Sequence, residues 1–157
     1  MTNFYKDKVI IVTGASSGIG LASVRNFVSL GAKVVLAARS IDKLEEIRRD
    51  VLHTSQSHTS QSHTSQSHTP ELLCIKTDVT KEEDCKNLIE KTIDTFGKID
   101  ILVNNAGISM RAVFKDMDLK VMKSLMDTNF WGTVYCTKYA LPYLLESKGT
   151  VVGVIST

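Results

Sequence analysis

Three glycines, Gly14, Gly18 and Gly20, stand in the spacing Gly-x3-Gly-x-Gly directly after the apolar run Val9-Ile10-Ile11-Val12. Four branched apolar residues in a row read as a strand buried on both faces. Val24, Phe27 and Val28 beyond the glycines carry the spacing of a helix face. A glycine loop between a strand and a helix does its chemistry with backbone. The helix N-terminus offers N–H groups without intrahelical partners and the positive end of the helix dipole, a seat for a pyrophosphate. In that reading Gly14 permits the tight turn, Gly18 lets backbone approach phosphate, and Gly20 lets the helix pack close to the strand. Ser16, Ser17 and Ile19 share the turn and complete this set of candidate contacts. The plainer alternative is a strand–helix turn with no ligand.

Other residues of suitable chemistry lie where later strands should end. Arg39 and Ser40 follow the apolar run 34–38, and Ala38 stands where NAD sites carry an acidic residue for the ribose hydroxyls. An Arg there suits a 2′-phosphate, which points to NADP rather than NAD. The alternative is a solvated Arg39 and a Ser40 that caps the next helix. Asp78 and Val79 follow the run 72–76, and Asn104-Asn105-Ala106-Gly107 follows 99–103. Asn129 lies in a helical region over 119–145, and Ser156 and Thr157 end a fifth run over 150–155.

The elements that must hold these residues alternate strand and helix. Helices are expected over 18–30, with Gly31 as C-cap, and over 41–52, with Ile41, Leu44, Ile47 and Val51 on one stripe. Thr80-Lys81-Glu82-Glu83 has the pattern of a capping box. It should open a helix that turns Cys85, Leu88, Ile89, Ile93 and Phe96 inward and stops at Gly97. A loop is expected over 109–118, and Met122, Leu125 and Met126 are expected to pack in the core. The alternation implies an α/β fold with a doubly wound parallel sheet, since parallel strands need helical crossovers.

The motifs Thr13-Gly14-x3-Gly18-Ile19-Gly20 and Asn104-Asn105-Ala106-Gly107 resemble the short-chain dehydrogenase/reductase family, single-domain subclass, in its N-terminal portion. The resemblance covers nearly the whole chain outside a repeat described below. It implies a Rossmann-type sheet in the order 3-2-1-4-5, here truncated after strand five. It implies an NADP-dependent oxidoreductase that moves hydride between nicotinamide and a carbonyl or secondary alcohol. Asp78 and Val79 would meet the adenine, and Asn105, Ala106 and Gly107 the ribose. Asn129 matches the family's active-site Asn, whose backbone carbonyl holds a water leading to the catalytic Lys. Ser156 or Thr157 would be the catalytic hydroxyl, and the choice between them stays open; either could polarise a carbonyl oxygen. The family pairs the helix near Asn129 with its copy in another subunit, so a homo-oligomer, dimer or tetramer, is expected at full length. Phe130, Trp131 and Tyr139 are candidate contacts there. The proton-donating Tyr and the Lys four residues after it are missing, because none of Tyr5, Tyr135, Tyr139 and Tyr143 has Lys at that distance. The 157-residue chain is therefore expected to be inactive, its high-pKa proton donor and partner lying beyond it. The alternative is a non-catalytic dinucleotide-binding protein or remnant.

Composition narrows the rest. The chain has 157 residues, 43% hydrophobic, with a net charge of +2. That length suits one domain, and that charge gives no case for nucleic acid. No apolar run approaches the roughly 20 residues of a membrane span, and residues 1–7 lack a signal-peptide core. Cys74, Cys85 and Cys136 are widely spaced, which reads as free thiols of a cytoplasmic protein rather than disulfides or metal ligands. His53-Thr54-Ser55-Gln56-Ser57 recurs from His58 and again from His63. The tract 53–69 holds all four histidines and no apolar residue, and is expected to be a disordered low-complexity insertion with no metal site.

Overall fold

Residues 4–57 and 71–155 are described by the computed structural model. The run Val9–Thr13 forms β1, buried along its whole length. It is the middle strand of a five-stranded parallel sheet whose order is β3-β2-β1-β4-β5. The partners are β2 (Lys33–Ala38), β3 (Leu72–Lys76), β4 (Ile101–Asn104) and β5 (Thr150–Gly153). One row across the sheet runs Cys74, Leu36, Val12, Val103, Val152. The order is the one expected from the sequence, with strand ends shifted by one or two residues.

Side chains alternate across β1, and each set meets its own helices. Ile10 and Val12 join Val24 and Val28 of α1 (Gly18–Ser29) and Leu44, Ile47 and Val51 of α2 (Ile41–Ser57). Ile11 faces the opposite layer, with Leu88 and Ile89 of α3 (Glu82–Phe96) and Cys136, Ala140 and Leu144 of α5 (Gly132–Ser147). Leu44, Leu88 and Ile89 are buried as their helical spacing predicted. The bonds of Asp100, just before β4, tie three strands. Its carboxylate accepts from Val9 N–H and pairs with Lys8 and Lys98, each bond 2.9 Å long, and its carbonyl accepts from Thr150 N–H. Burial raises the Asp100 pKa, but the Val9 N–H and the two ammonium groups outweigh it and hold the carboxyl below its ordinary range.

Five expectations need correction. α2 does not stop at 52 but runs to Ser57, so residues 53–57 are helical; the rest of the repeat lies outside the described residues. The Thr54 hydroxyl bonds Asp50 O at 2.9 Å, showing how a polar residue can continue a helix with no apolar face. The capping box does not form. The Thr80 hydroxyl donates to Asp78 Oδ1 at 2.8 Å, and Lys81, with no capping side chain, begins α3. Met122, Leu125 and Met126 are not core, because α4 (Leu119–Met126) buries none of its residues. The single helix expected over 119–145 is instead α4 and α5 joined by a π-helical turn over Asp127–Trp131. The loop over 109–118 contains a short 3₁₀ turn, Phe114–Asp116.

Candidate functional site

The site is assembled at the C-terminal ends of the strands, where open parallel sheets bind ligands. The turn from β1 to α1 brings Gly14, Ser16, Ser17, Gly18, Ile19 and Gly20 there. Gly14 has φ +65° and Gly18 φ +53°, conformations that glycine adopts without strain. A Cβ built on Gly14 would lie 2.9 Å from Ala106 Cα and 2.9 Å from the Asn105 amide nitrogen. At Gly20 it would collide with Gly14 O and the same amide. At Gly18 nothing lies within 4 Å. Two of the glycines are thus demanded by internal packing, whereas Gly18 opens outward. The first turn of α1 holds no acidic residue, and Ser17 makes no side-chain cap. The N–H groups of that turn have no intrahelical acceptors.

Thr13, which sequence reasoning did not count as a site residue, holds the loop in place. Its hydroxyl donates to Val103 O at 3.3 Å and accepts from the N–H groups of Asn105 and Ala106, both at 3.0 Å. The Asn105 amide returns the connection, donating to Thr13 O at 2.9 Å and Gly14 O at 3.2 Å. The ends of β1 and β4 are laced together by side chains reaching backbone. A threonine immediately before the first glycine was the available signal.

The other candidates divide by what they touch. Arg39 follows β2, is exposed and has no partner among the described residues. Ser40 is also exposed, and its hydroxyl accepts from Lys43 N–H at 3.4 Å at the start of α2. Asp78 Oδ1 closes a turn with Thr80, while nothing described donates to Oδ2. Val79 is buried beside it. Asn129 sits in the π-helical turn, and its amide makes both bonds to the Ile108 backbone, each 2.9 Å. Its carbonyl accepts from the Thr133 hydroxyl at 3.1 Å. That bond and Gly132 were also missed from sequence. Asn129 thereby joins the Gly107 loop to the start of α5. Ser156 and Thr157 lie outside the described residues.

Tyr139 donates to Glu82 at 2.6 Å, and that bond pushes its pKa up to about 12. The same bond, with one from Lys138, lowers the Glu82 carboxyl. Burial lifts the Cys74 thiol to about 12. A hydrogen bond with Cys85, then burial, raises the Cys136 thiol. All three cysteines are free, and the raised thiols of Cys74 and Cys136 are shifted away from the lowered pKa of a nucleophile. Among the described residues no group of side chains could hold a metal ion, and no helix is long and apolar enough to cross a membrane.

Comparison with known proteins decides the family. The short chain dehydrogenase family profile matches residues 8–157. This chain belongs to the short chain dehydrogenase family. 11-beta-hydroxysteroid dehydrogenase 1A of Arabidopsis thaliana is 37% identical over 151 residues, which is 96% of this chain and 40% of that protein. 11-beta-hydroxysteroid dehydrogenase-like 2 of the same plant is 40% identical over 150 residues, 95% of this chain and 44% of that one. The chain spans less than half the length of these relatives. Among solved structures, an alcohol dehydrogenase from Thermococcus sibiricus complexed with 5-hydroxy-NADP superposes with a TM-score of 0.83. It is 26% identical, and the match covers 94% of this chain and 57% of that one. L-sorbose reductase from Gluconobacter frateurii, complexed with NADPH and L-sorbose, has a TM-score of 0.81 and 27% identity, with 94% and 52% covered.

Proposed function

We propose that this chain supplies the cofactor-binding half of an NADP(H)-dependent oxidoreductase acting on a carbonyl or secondary alcohol. The observation that carries the proposal is the free Arg39 at the end of β2, beside Ala38 rather than a carboxylate and at the same C-terminal ends of the strands as the open Gly18 turn. The named cofactors of the two solved relatives add support. The turn from Gly14 to Gly20, with Ser16, Ser17 and Ile19, would hold the pyrophosphate through backbone N–H groups. Arg39 and Ser40 would take the 2′-phosphate. The free Asp78 Oδ2 and the Val79 backbone would meet the adenine, and Asn105, Ala106 and Gly107 would lie against ribose. When bound, the nicotinamide gives or takes the hydride.

The chain's own residues then have positional work. Asn129 would fix the Gly107–Ile108 loop, and its carbonyl, which accepts from Thr133, would be the one that the family uses to hold a water leading to its Lys. Ser156 or Thr157 would donate to the substrate oxygen, stabilising the charge that develops there. No Tyr-x3-Lys occurs within residues 1–157, so no proton donor is assigned to this stretch. Three free thiols fit a reducing cytoplasm. Phe130, Leu141 and Leu145, exposed along the π-helical turn and α5, fit pairing with a second copy; sedimentation of the full-length protein as a monomer would remove that part.

The cofactor test is calorimetric titration of the full-length protein with NADPH and NADH. A charge-assisted Arg–phosphate contact is worth about 1.5–3 kcal/mol, so NADPH should bind roughly ten- to a hundredfold more tightly. Arg39→Asp should reverse the order, adding repulsion toward phosphate and an acceptor for ribose. Equal affinities in the unaltered protein would defeat the proposal.

A further inference from the structure

Gly132 opens α5 directly after the π-helical turn that carries Asn129, and it is buried. Its φ is −58°, so the backbone would accept any L residue. Glycine inside a continuous helical stretch is unfavourable by about 1 kcal/mol relative to alanine. The reason for glycine must therefore be space. A Cβ at this position would stand 2.8 Å from Val79 Cγ2, 2.9 Å from Val79 Cβ and 3.2 Å from Val79 O. Val79 cannot retreat freely. It is itself buried, Cys85 Sγ donates to its carbonyl at 3.5 Å, and the preceding Asp78 N–H is held by Asp84 at 2.9 Å. Cys136, one turn beyond Gly132, shares the same apolar cluster with Cys85 and Val79. α5 thus reaches its seat against the loop between β3 and α3 only because position 132 has no side chain.

We propose that Gly132 is a positioning residue that sets the Asp78–Val79 loop and Asn129 at a fixed separation, matching the two ends of the bound dinucleotide. This rests on the cofactor reading above, in which Asp78 and Val79 meet the adenine. One glycine contact then links the adenine end of the crevice to its substrate end without touching the ligand. A methyl group there pushes either Val79 toward the adenine or the start of α5, with Asn129, away from the sheet.

The test uses the full-length protein with Gly132→Ala, Val79→Gly and the double variant. Titration with adenosine 2′,5′-bisphosphate reads the adenine end alone, NADPH reads the whole crevice, and thermal melting reads stability. Overpacking of this degree should weaken bisphosphate binding about tenfold or more in Gly132→Ala. In the Val79→Gly background, where both nearest atoms are gone, the same change should have a much smaller effect. A well-folded Gly132→Ala protein with unchanged affinity for both the bisphosphate and NADPH would overturn the proposal, leaving the glycine a matter of helix packing. Where Gly132→Ala does not fold, the double variant against Val79→Gly decides: equal affinities support the proposal, and a tenfold gap overturns it. Failure of the unaltered protein to bind either ligand would instead sink the cofactor reading itself.

Discussion

The two sides of β1 are built to different standards. Toward β2, every residue of β1 is buried and β2 is buried from Val34 to Ala38, with α1 and α2 closing one face and α3 the other. Toward β5, burial fades. β4 is still covered, but all four residues of β5 are exposed, and α4 buries nothing. Leu119, Leu145 and Ile155 are 74%, 70% and 88% exposed. The glycine turn, Arg39 and Asp78 therefore stand on ground that this chain completes from its own residues. Asn129 and the end of β5 are more exposed, and the Asn129–Ile108 pair, the close approach of Gly132 to Val79, and Asp100 are among their ties to the rest. Cofactor geometry should be robust to mild damage, and geometry near Asn129 should not.

Truncating equivalent positions of the sheet tests that contrast most strongly. Leu36 and Val152 lie in one row across the sheet. Leu36→Ala, at a fully buried position, should cost about 2–5 kcal/mol in urea unfolding. Val152→Ala, 40% exposed, should stay within about 0.5 kcal/mol. Similar losses at both sites would erase the distinction. Next in size, Gly20→Ala should destabilise by about 1–3 kcal/mol, because backbone rather than a flexible side chain meets the new methyl. Cofactor titration should fall with it, while the equally small change Gly18→Ala, which meets nothing and strains only φ, should leave stability closer to that of the parent.

Asp100 sharpens the comparison, since it ties the two sides. Its native pKa is depressed, so its carboxylate adds stability that is fully present above the unfolded value of about 4. That contribution disappears as pH falls through the lowered native value. The stability gap between the parent and Asp100→Asn should thus be constant from pH about 5 to 8 and close in acid. A gap that persists unchanged at low pH would assign the tie to shape rather than charge. A small effect is expected at Lys148, which caps the end of α5 with φ +53°. Lys148→Gly should stabilise by about 0.5–1 kcal/mol in thermal unfolding, a net of relieved left-handed strain and added freedom in the unfolded chain.

Legibility in the sequence followed the same division. β1 and the glycine turn could be read because a doubly covered strand must be uniformly apolar, and because a tight turn demands glycine at particular places. Sheet order followed from the family pattern. What escaped notice were relations across long sequence distance. The Thr13 hydroxyl is engaged by residues some ninety positions away, as the separations of 90, 92 and 93 show. Gly132 looks like a poor helix residue until Val79 is placed beside it. Met122 and Leu125 carry a core-like spacing on a helix that meets too little to bury them. Thr80 has the composition of a cap, but its hydroxyl donates to Asp78 and the cap position falls on Lys81 instead.

The connection between α2 and β3 has a consequence for how this gene can vary. Leu72 pairs with Val34, the first of the β2–β3 pairs, so the chain enters β3 at the strand ends opposite the Gly14–Gly20 turn. Loop closure becomes harder by only about 0.6 kcal/mol per doubling of length. Gains or losses of whole His-Thr-Ser-Gln-Ser units, the kind of change that slippage on a tandem repeat produces, fall in the stretch between α2 and Leu72, and Leu72 starts β3 at the strand ends opposite the Gly14–Gly20 turn. Alleles differing in copy number should bind cofactor alike, and the same junction offers a place to graft a tag or a sensor module.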